Sequence, residues 1–196
     1  MVPSCLFSAN LELSSRVRGV SGCVVECGVW RGGMAAGIAA VLGTGRRYYL
    51  CDSFEGLPAA NNVDGEAALS WQRDTASPNY YDNCSADEHY AREAMALAGI
   101  RSFELVKGWF NETLPSLELA DSIALLRLDG DWYESTTACL DALFNKVVTG
   151  GLIIIDDYYQ WDGCSRAVHD FLSRHSAVER IQDQGGICFI EKRLQT

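Results

Sequence analysis

The chain is short of basic residues, histidine and proline, and has no long apolar run; several of these shortages narrow the function. Lys and Arg number 16 against 26 Asp and Glu, a formal charge of −10 over 196 residues with no basic run anywhere. Such a surface repels polyanions, so nucleic acid and anionic membranes are poor partners. No apolar run approaches the roughly 18 residues that span a bilayer. MVPSCLFSAN also has neither the basic start nor the unbroken apolar middle of a secretory leader. A cytoplasmic protein with no membrane partner is the expectation. There are 3 His and no CxxC. The cysteines (Cys5, Cys23, Cys27, Cys51, Cys84, Cys139, Cys164 and Cys188) stand singly, several inside apolar strands. They read as small buried hydrophobes in a reducing compartment, not as a disulfide framework or a zinc site.

What is present is a core of useful size. With 48% hydrophobic residues the chain suits one well-packed unit, so a single domain over 1–196 is expected. Short apolar runs alternate with longer amphipathic stretches, the pattern of a mostly parallel α/β sheet with helices on both faces. The predicted strands are GCVVECG (22–28), RYYLCD (47–52), SFELVKG (102–108), IALLRLD (123–129) and GLIIIDD (151–157). Helices are predicted over 32–42, 85–98, 112–119, 134–146 and 163–175, with residues 1–21 as a lead-in. Gly99 reads as a C-terminal cap, and Asn111 with Glu112 as a helix start. AVERIQDQGGICFIEK, 177–192, reads as two strands joined at Gly185 and Gly186, an antiparallel hairpin closing the sheet. Residues 55–84 hold no sustained period but carry Trp71, Tyr80 and Tyr81, which suits a mobile lid shaping an acceptor pocket.

The strand ends carry the chemistry. The first strand runs into ECGVWRGG, 26–33, where glycines let the backbone turn sharply beside a ligand. This is not the dinucleotide spacing, because Trp30 sits where a pyrophosphate would approach. Glu26 with Gly28, followed by Asp52 at the end of the second strand, suits an adenosine cofactor with an amino-acid tail. Glu26 would meet its ammonium and Asp52 its ribose hydroxyls; S-adenosylmethionine fits. An ordinary strand-to-helix turn is the competing reading of the first loop. At the third strand end Gly108 allows close approach, and Trp109 or Phe110 can stack on adenine or pack beneath the lid.

The fourth strand ends in RLDGDWYES and the fifth in IIIDDYY. Neighbouring strands lie about 4.8 Å apart, so Asp129 can face Asp156 and Asp157. Carboxylates that close, with Arg127 as their one basic neighbour in sequence, repel unless a cation joins them. All-oxygen ligands favour a hard ion such as Mg²⁺. The alternative is that one aspartate caps the next helix and the other faces solvent.

In order along the chain, VECGVWRGG, DSFEGLP, VKGWFNETLP, LRLDGDWYEST and IIIDDY resemble the macrocin O-methyltransferase (TylF/MycF) family, which includes the NovP-like sugar methyltransferases; the likeness covers about 22–190. The resemblance implies a class I, Rossmann-like S-adenosylmethionine-dependent methyltransferase fold. It also implies Mg²⁺-dependent methylation of a sugar hydroxyl on a small glycosylated acceptor, with a homodimer as the expected assembly. It assigns the metal to Asp129, Asp156 and Asp157, and cofactor contacts to Glu26, Gly28, Asp52 and Ser53. Trp30, Gly108, Trp109 and Phe110 are the further cofactor candidates. The chain departs from the family in having Gly32, Gly33 and Met34 where relatives read GGS, and in a short stretch before the first strand. Catechol O-methyltransferases share the layout, but their lysine base has no counterpart here. Asp129 is the expected ligand and proton acceptor; Asp131 is the second candidate base, or a helix-capping or supporting residue. His169 reads as an ordinary surface position. Two other classes stay open: a cofactor-binding protein without catalysis, and a hydrolase whose carboxylates activate water.

Overall fold

The computed structural model describes residues 2–193. Seven strands form one sheet in the order β3-β2-β1-β4-β5-β7-β6. They are β1 (Cys23–Cys27), β2 (Tyr48–Asp52), β3 (Phe103–Lys107), β4 (Ile123–Leu128), β5 (Val147–Ile155), β6 (Ile181–Gln184) and β7 (Ile187–Glu191). The first five are mutually parallel, and β7 pairs antiparallel with both β5 and β6. Chain order reverses between β1 and β4, and in open α/β sheets ligands collect at such a switch, beyond the carboxyl ends of the strands.

Alternation along the strands builds two cores. Val24, Leu125 and Ile154 face α1 (Ser4–Ser15), α2 (Gly33–Leu42) and α4 (Glu88–Leu97). Val25, Leu126 and Ile153 face α6 (Tyr133–Leu143) and α7 (Asp162–Arg174), with α3 (Gly65–Arg73) and the single turn α5 (Phe110–Thr113) nearby. Every residue of β4 is buried, so its three leucines each contribute about 1.5–3 kcal/mol. No helix among the described residues is long and apolar enough to cross a membrane.

Helix ends follow local chemistry at some positions and tertiary contacts at others. Gly99, at φ 76°, closes α4 as predicted: its N–H reaches Ala96 O, and that of Ile100 reaches Met95 O at 3.0 Å. The hairpin turn is also as read, with Gly185 and Gly186 both at positive φ. The helix start at Asn111 and Glu112 is corrected, since α5 begins at Phe110 with Trp109 as its N-cap, and its last turn tightens at Leu114–Ser116. β5 starts at Val147 rather than 151: Gly150 and Gly151 make a bulge, where the pairing jumps from Ile123↔Val147 to Leu125↔Leu152.

Residues 55–84, where the sequence showed no period, contain α3, one 3₁₀ turn at Asn62–Asp64 and a left-handed turn at Tyr81–Cys84, whose residues all have positive φ. Tertiary contacts hold this helix. The Trp132 indole donates to Pro58 O at 3.0 Å, and Asp64 accepts from Tyr133 N at 2.7 Å. Trp71 packs edge-on against Trp132 and Trp161, with ring centres 6.1 and 6.2 Å away. The segment therefore sits on the N-terminal ends of α6 and α7.

Candidate active site

Gly28 makes the closest approach at the switch. Its φ is 90°, and a Cβ there would lie 1.8 Å from Asp129 O, so no other residue fits without moving β1 from β4. The loop that follows is tied to β2 by Asp52. Val29 N and Trp30 N donate to its Oδ2 at 2.6 and 2.8 Å, and Phe54 N donates to its Oδ1 at 2.7 Å. Asp52 thus fixes two cavity loops while keeping one acceptor site, on Oδ1, for a ligand. The Ser53 hydroxyl accepts from Glu55 N and donates to Gly56 O, both at 3.1 Å, which shapes the next turn. Trp30 adopts φ 49°, its indole donates to Ser85 O at 3.3 Å, and the Arg31 guanidinium lies 4.7 Å above its ring.

The acidic cluster contains a cation of its own. Period-two alternation places Arg127 and Asp129 on one face of the sheet, and the register sets Arg127 beside Glu26 on one side and Ile154 on the other. Arg127 is fully buried. Its Nη1 lies 2.8 Å from both Glu26 Oε1 and Asp129 Oδ2, and its Nη2 lies 2.9 Å from Asp156 Oδ1. Arg127 Nε donates to Asn10 Oδ1 at 3.2 Å, and Asn10 Nδ2 donates to Asp156 Oδ1 at 2.9 Å. On the other side, Asp157 Oδ2 accepts from Asp131 N at 3.0 Å, and Asp131 Oδ1 accepts from the Trp161 indole at 2.9 Å. Asp131 does not cap α6, whose N-cap is Trp132; that reading is corrected.

One guanidinium is outnumbered by five carboxylates. Burial, opposed by Arg127, pushes Glu26 up to about 8. Burial and the neighbouring Asp129 push Asp131 up to about 8 against the Trp161 bond. Burial and then Asp131, Asp129 and Asp156 hold Asp157 well above the usual carboxylate range, and burial also raises Asp129 despite Arg127. Further positive charge is what this site lacks.

The donor set fits a dication and a cofactor ammonium. One oxygen from each of Asp129, Asp156 and Asp157 lies within 4.8 Å of the others. Two oxygens opposite one another across a hard ion are separated by about 4–5 Å. The Asp129 side chain keeps 28% of its surface open, and that of Asp156 11%, so an ion can reach them. Glu26 Oε2 is buried without a hydrogen-bond partner, an acceptor awaiting a donor.

All of these residues open onto one cavity of about 940 Å³. Every residue singled out from the sequence lines it: Glu26, Gly28, Trp30, Asp52 and Ser53 from the first two strand ends, Gly108, Trp109 and Phe110 from the third, and Asp129, Asp131, Asp156 and Asp157 from the last two. Trp71 and Tyr81, two of the aromatics of the 55–84 segment named from the sequence, add an aromatic wall together with Trp161, which the sequence did not single out. Asn10 and the pairing role of Arg127 were missed too. His169 stays apart, bonded to the Tyr158 hydroxyl at 2.9 Å on α7.

Comparison with known proteins agrees with this layout. Residues 10–190 match the family model described as Macrocin-O-methyltransferase (TylF). An 8-demethyl-8-(2,3-dimethoxy-alpha-L-rhamnosyl)-tetracenomycin-C 4'-O-methyltransferase of Streptomyces olivaceus is 37% identical, over 86% of this chain and 64% of its own. A demethyldecarbamoylnovobiocin O-methyltransferase of Streptomyces niveus is 32% identical over 83% and 62%. The chain thus spans a little under two thirds of the length of these relatives. Among solved structures, the O-methyltransferase NovP superposes with a TM-score of 0.77 at 28% identity, covering 97% of this chain and 80% of that one. An O-methyltransferase from Bacillus cereus in complex with SAH shares the fold, at TM-score 0.60 and 14% identity, over 98% and 83%.

Proposed function

Because this chain belongs to the macrocin O-methyltransferase (TylF) family, we propose that it transfers a methyl group from S-adenosylmethionine to a sugar hydroxyl of a small glycosylated acceptor, with Mg²⁺ at Asp129, Asp156 and Asp157. The observation that carries this reading is the pairing, in one cavity, of a cation-poor carboxylate cluster with the open Oε2 of Glu26. The named activities of the relatives, all O-methyl transfers and one of them specifying a rhamnosyl group, point the same way.

Each group has a part. Glu26 would receive the cofactor ammonium at Oε2, since Oε1 is held by Arg127. Asp52 and the turn at Ser53 would seat the ribose, and Trp109 or Phe110 would cover the adenine. The dication, when bound, supplies a Lewis acid that lowers the pKa of a sugar hydroxyl, which is otherwise almost un-ionised at neutral pH. Asp129, Asp156 and Asp157 would hold that charge at the strand ends. Asp131 is the better placed proton acceptor: it is outside the ligand set, its Oδ1 is steadied by Trp161, and its environment raises its proton affinity toward neutrality. Asp129, held by Arg127 and needed to hold the dication, would be the weaker base. Trp71 and Trp161, which line the cavity, would limit water around the acceptor.

Ligand-dependent melting tests this reading. S-adenosylhomocysteine at about a hundred times its Kd is expected to stabilise by about 2.7 kcal/mol, or several degrees in Tm. Carboxyls with a raised folded pKa favour the native state while protonated and cost stability once ionised. Metal-free protein should therefore lose stability progressively as pH rises from the ordinary carboxyl range, about 4, where the unfolded groups ionise, up to about 8, where Glu26 and Asp131 ionise in the folded state, and should level off above it. Stabilisation by Mg²⁺ should accordingly be larger at pH 8 than at pH 6. No response to S-adenosylhomocysteine would point to a hydrolase, and a response to it without any to Mg²⁺ would leave a cofactor-binding protein.

A further inference from the structure

The N-terminal helix reaches into the carboxylate cluster through one buried side chain. Asn10 is fully buried on α1, 146 residues from Asp156 in the chain, and its amide is oriented by bonds on both sides. Nδ2 donates to Leu6 O at 3.1 Å and to Asp156 Oδ1 at 2.9 Å, and Oδ1 accepts from Arg127 Nε at 3.2 Å. Flipping the amide would set an oxygen against Asp156 and an NH₂ against the guanidinium, so the donor direction is fixed by its neighbours. The same helix packs on α2 and touches β7, which makes it a rigid support.

From this arrangement we infer that Asn10 is a positioning residue for the metal-binding carboxylates, and that α1 is part of the active site. Asn10 Nδ2 donates a hydrogen bond to Oδ1 of Asp156, and Arg127 Nη2 lies 2.9 Å from the same oxygen as an ion pair without hydrogen-bond geometry. That oxygen is thereby held toward α1, and the second oxygen of Asp156 is left for the cation shared with Asp129 and Asp157. Outer partners of this kind orient a ligand and reduce the entropy lost when an ion binds, and removing one costs about 10–100-fold in metal affinity. The inference rests on the metal reading given under Proposed function.

The test measures Mn²⁺ binding by the electron paramagnetic resonance of free ion, in the presence of saturating S-adenosylhomocysteine, for the full chain and for Asn10→Ala and Asn10→Leu. Both replacements are better helix formers than asparagine, and leucine also keeps the four-atom, γ-branched side-chain shape, so α1 is expected to persist. Melting temperature and S-adenosylhomocysteine affinity are recorded alongside. The inference predicts Mn²⁺ binding weakened about 10–100-fold in both variants, with S-adenosylhomocysteine affinity within about twofold of the parent, since Asn10 does not bond Glu26. Unchanged Mn²⁺ affinity in a folded variant, with only a lowered melting temperature, would make Asn10 a packing residue and overturn the inference while the metal reading survives. Failure of the parent chain itself to bind Mn²⁺ would remove the metal reading and this inference together.

Discussion

Replacing Asp129 with asparagine is expected to lower methyl transfer by about a thousandfold while S-adenosylhomocysteine still binds. Asp129 and Asp156 both pair with Arg127 and both belong to the carboxylate group completed by Asp157; Asp129, whose Oδ2 sits 2.8 Å from Arg127 Nη1, is the more open of the two, at 28% against 11%. An amide there keeps an acceptor for Arg127 but loses the charge that a hard cation needs. The cofactor pocket is built on Glu26, Asp52 and their loops, so it should survive. Stability moves in the opposite direction from activity. Burial holds the Asp129 carboxyl above its ordinary range, so the ionised group is a cost in metal-free protein at neutral pH, and Asp129→Asn should melt no lower than the parent in EDTA. Turnover is read with labelled methyl donor on any glycoside the parent methylates, and cofactor binding by calorimetry. Turnover within about tenfold of the parent would remove Asp129 from its assigned role.

Arg127→Met should be the most destabilising change at the site, by about 3–5 kcal/mol. A fully buried guanidinium is tolerated here only because Glu26, Asp129 and Asp156 surround it. Removing it leaves those carboxylates facing one another in a poorly solvated space. The resulting fall in Tm, about 10 °C for a chain of this size, should shrink as pH is lowered from 8 to 5, because the carboxyls can then protonate. It should also shrink when Mg²⁺ is added, because a dication supplies part of the missing charge. Urea and thermal melts of parent and variant in EDTA and in Mg²⁺ check both trends. A variant as stable as the parent in EDTA at pH 8 would show that the guanidinium does not hold the cluster together.

The centre of the sheet was legible because β4 and β5, buried on both faces, read as near-continuous Val, Ile and Leu and stop at charged ends. β2 and β3 carry aromatic and charged residues and were marked by their short apolar runs and their ends at Asp52 and Gly108. The same reading placed every candidate site residue on one cavity, since the strand ends of such a sheet converge at its switch. What was missed depends on contacts between distant segments. Thr149-Gly150-Gly151 looks like a break, and only its pairing with β4 and β7 makes it a bulge within β5. The helix GEAALSWQR buries only Ala68 fully, and Trp71 finds its partners on α6 and the start of α7, so no apolar period marks it in the sequence. Arg127 was half visible: LLRLD puts it two residues before Asp129, hence on the same face, and that spacing alone announces an ion pair. Its contact with Glu26 needs the β1–β4 register. Asn10 has no local signal at all, since its meaning lies in an aspartate near the other end of the chain.

The central claim is that Asp129, Asp156 and Asp157 together hold a divalent cation beside the cofactor pocket. Crystals grown with S-adenosylhomocysteine and Mn²⁺, with diffraction recorded at the manganese absorption edge, test it most directly. The account predicts one anomalous peak bonded to an oxygen of each aspartate, on the cavity side of Arg127. Carboxylates turned away from one another, with Arg127 their sole cation and no anomalous peak between them, would contradict it.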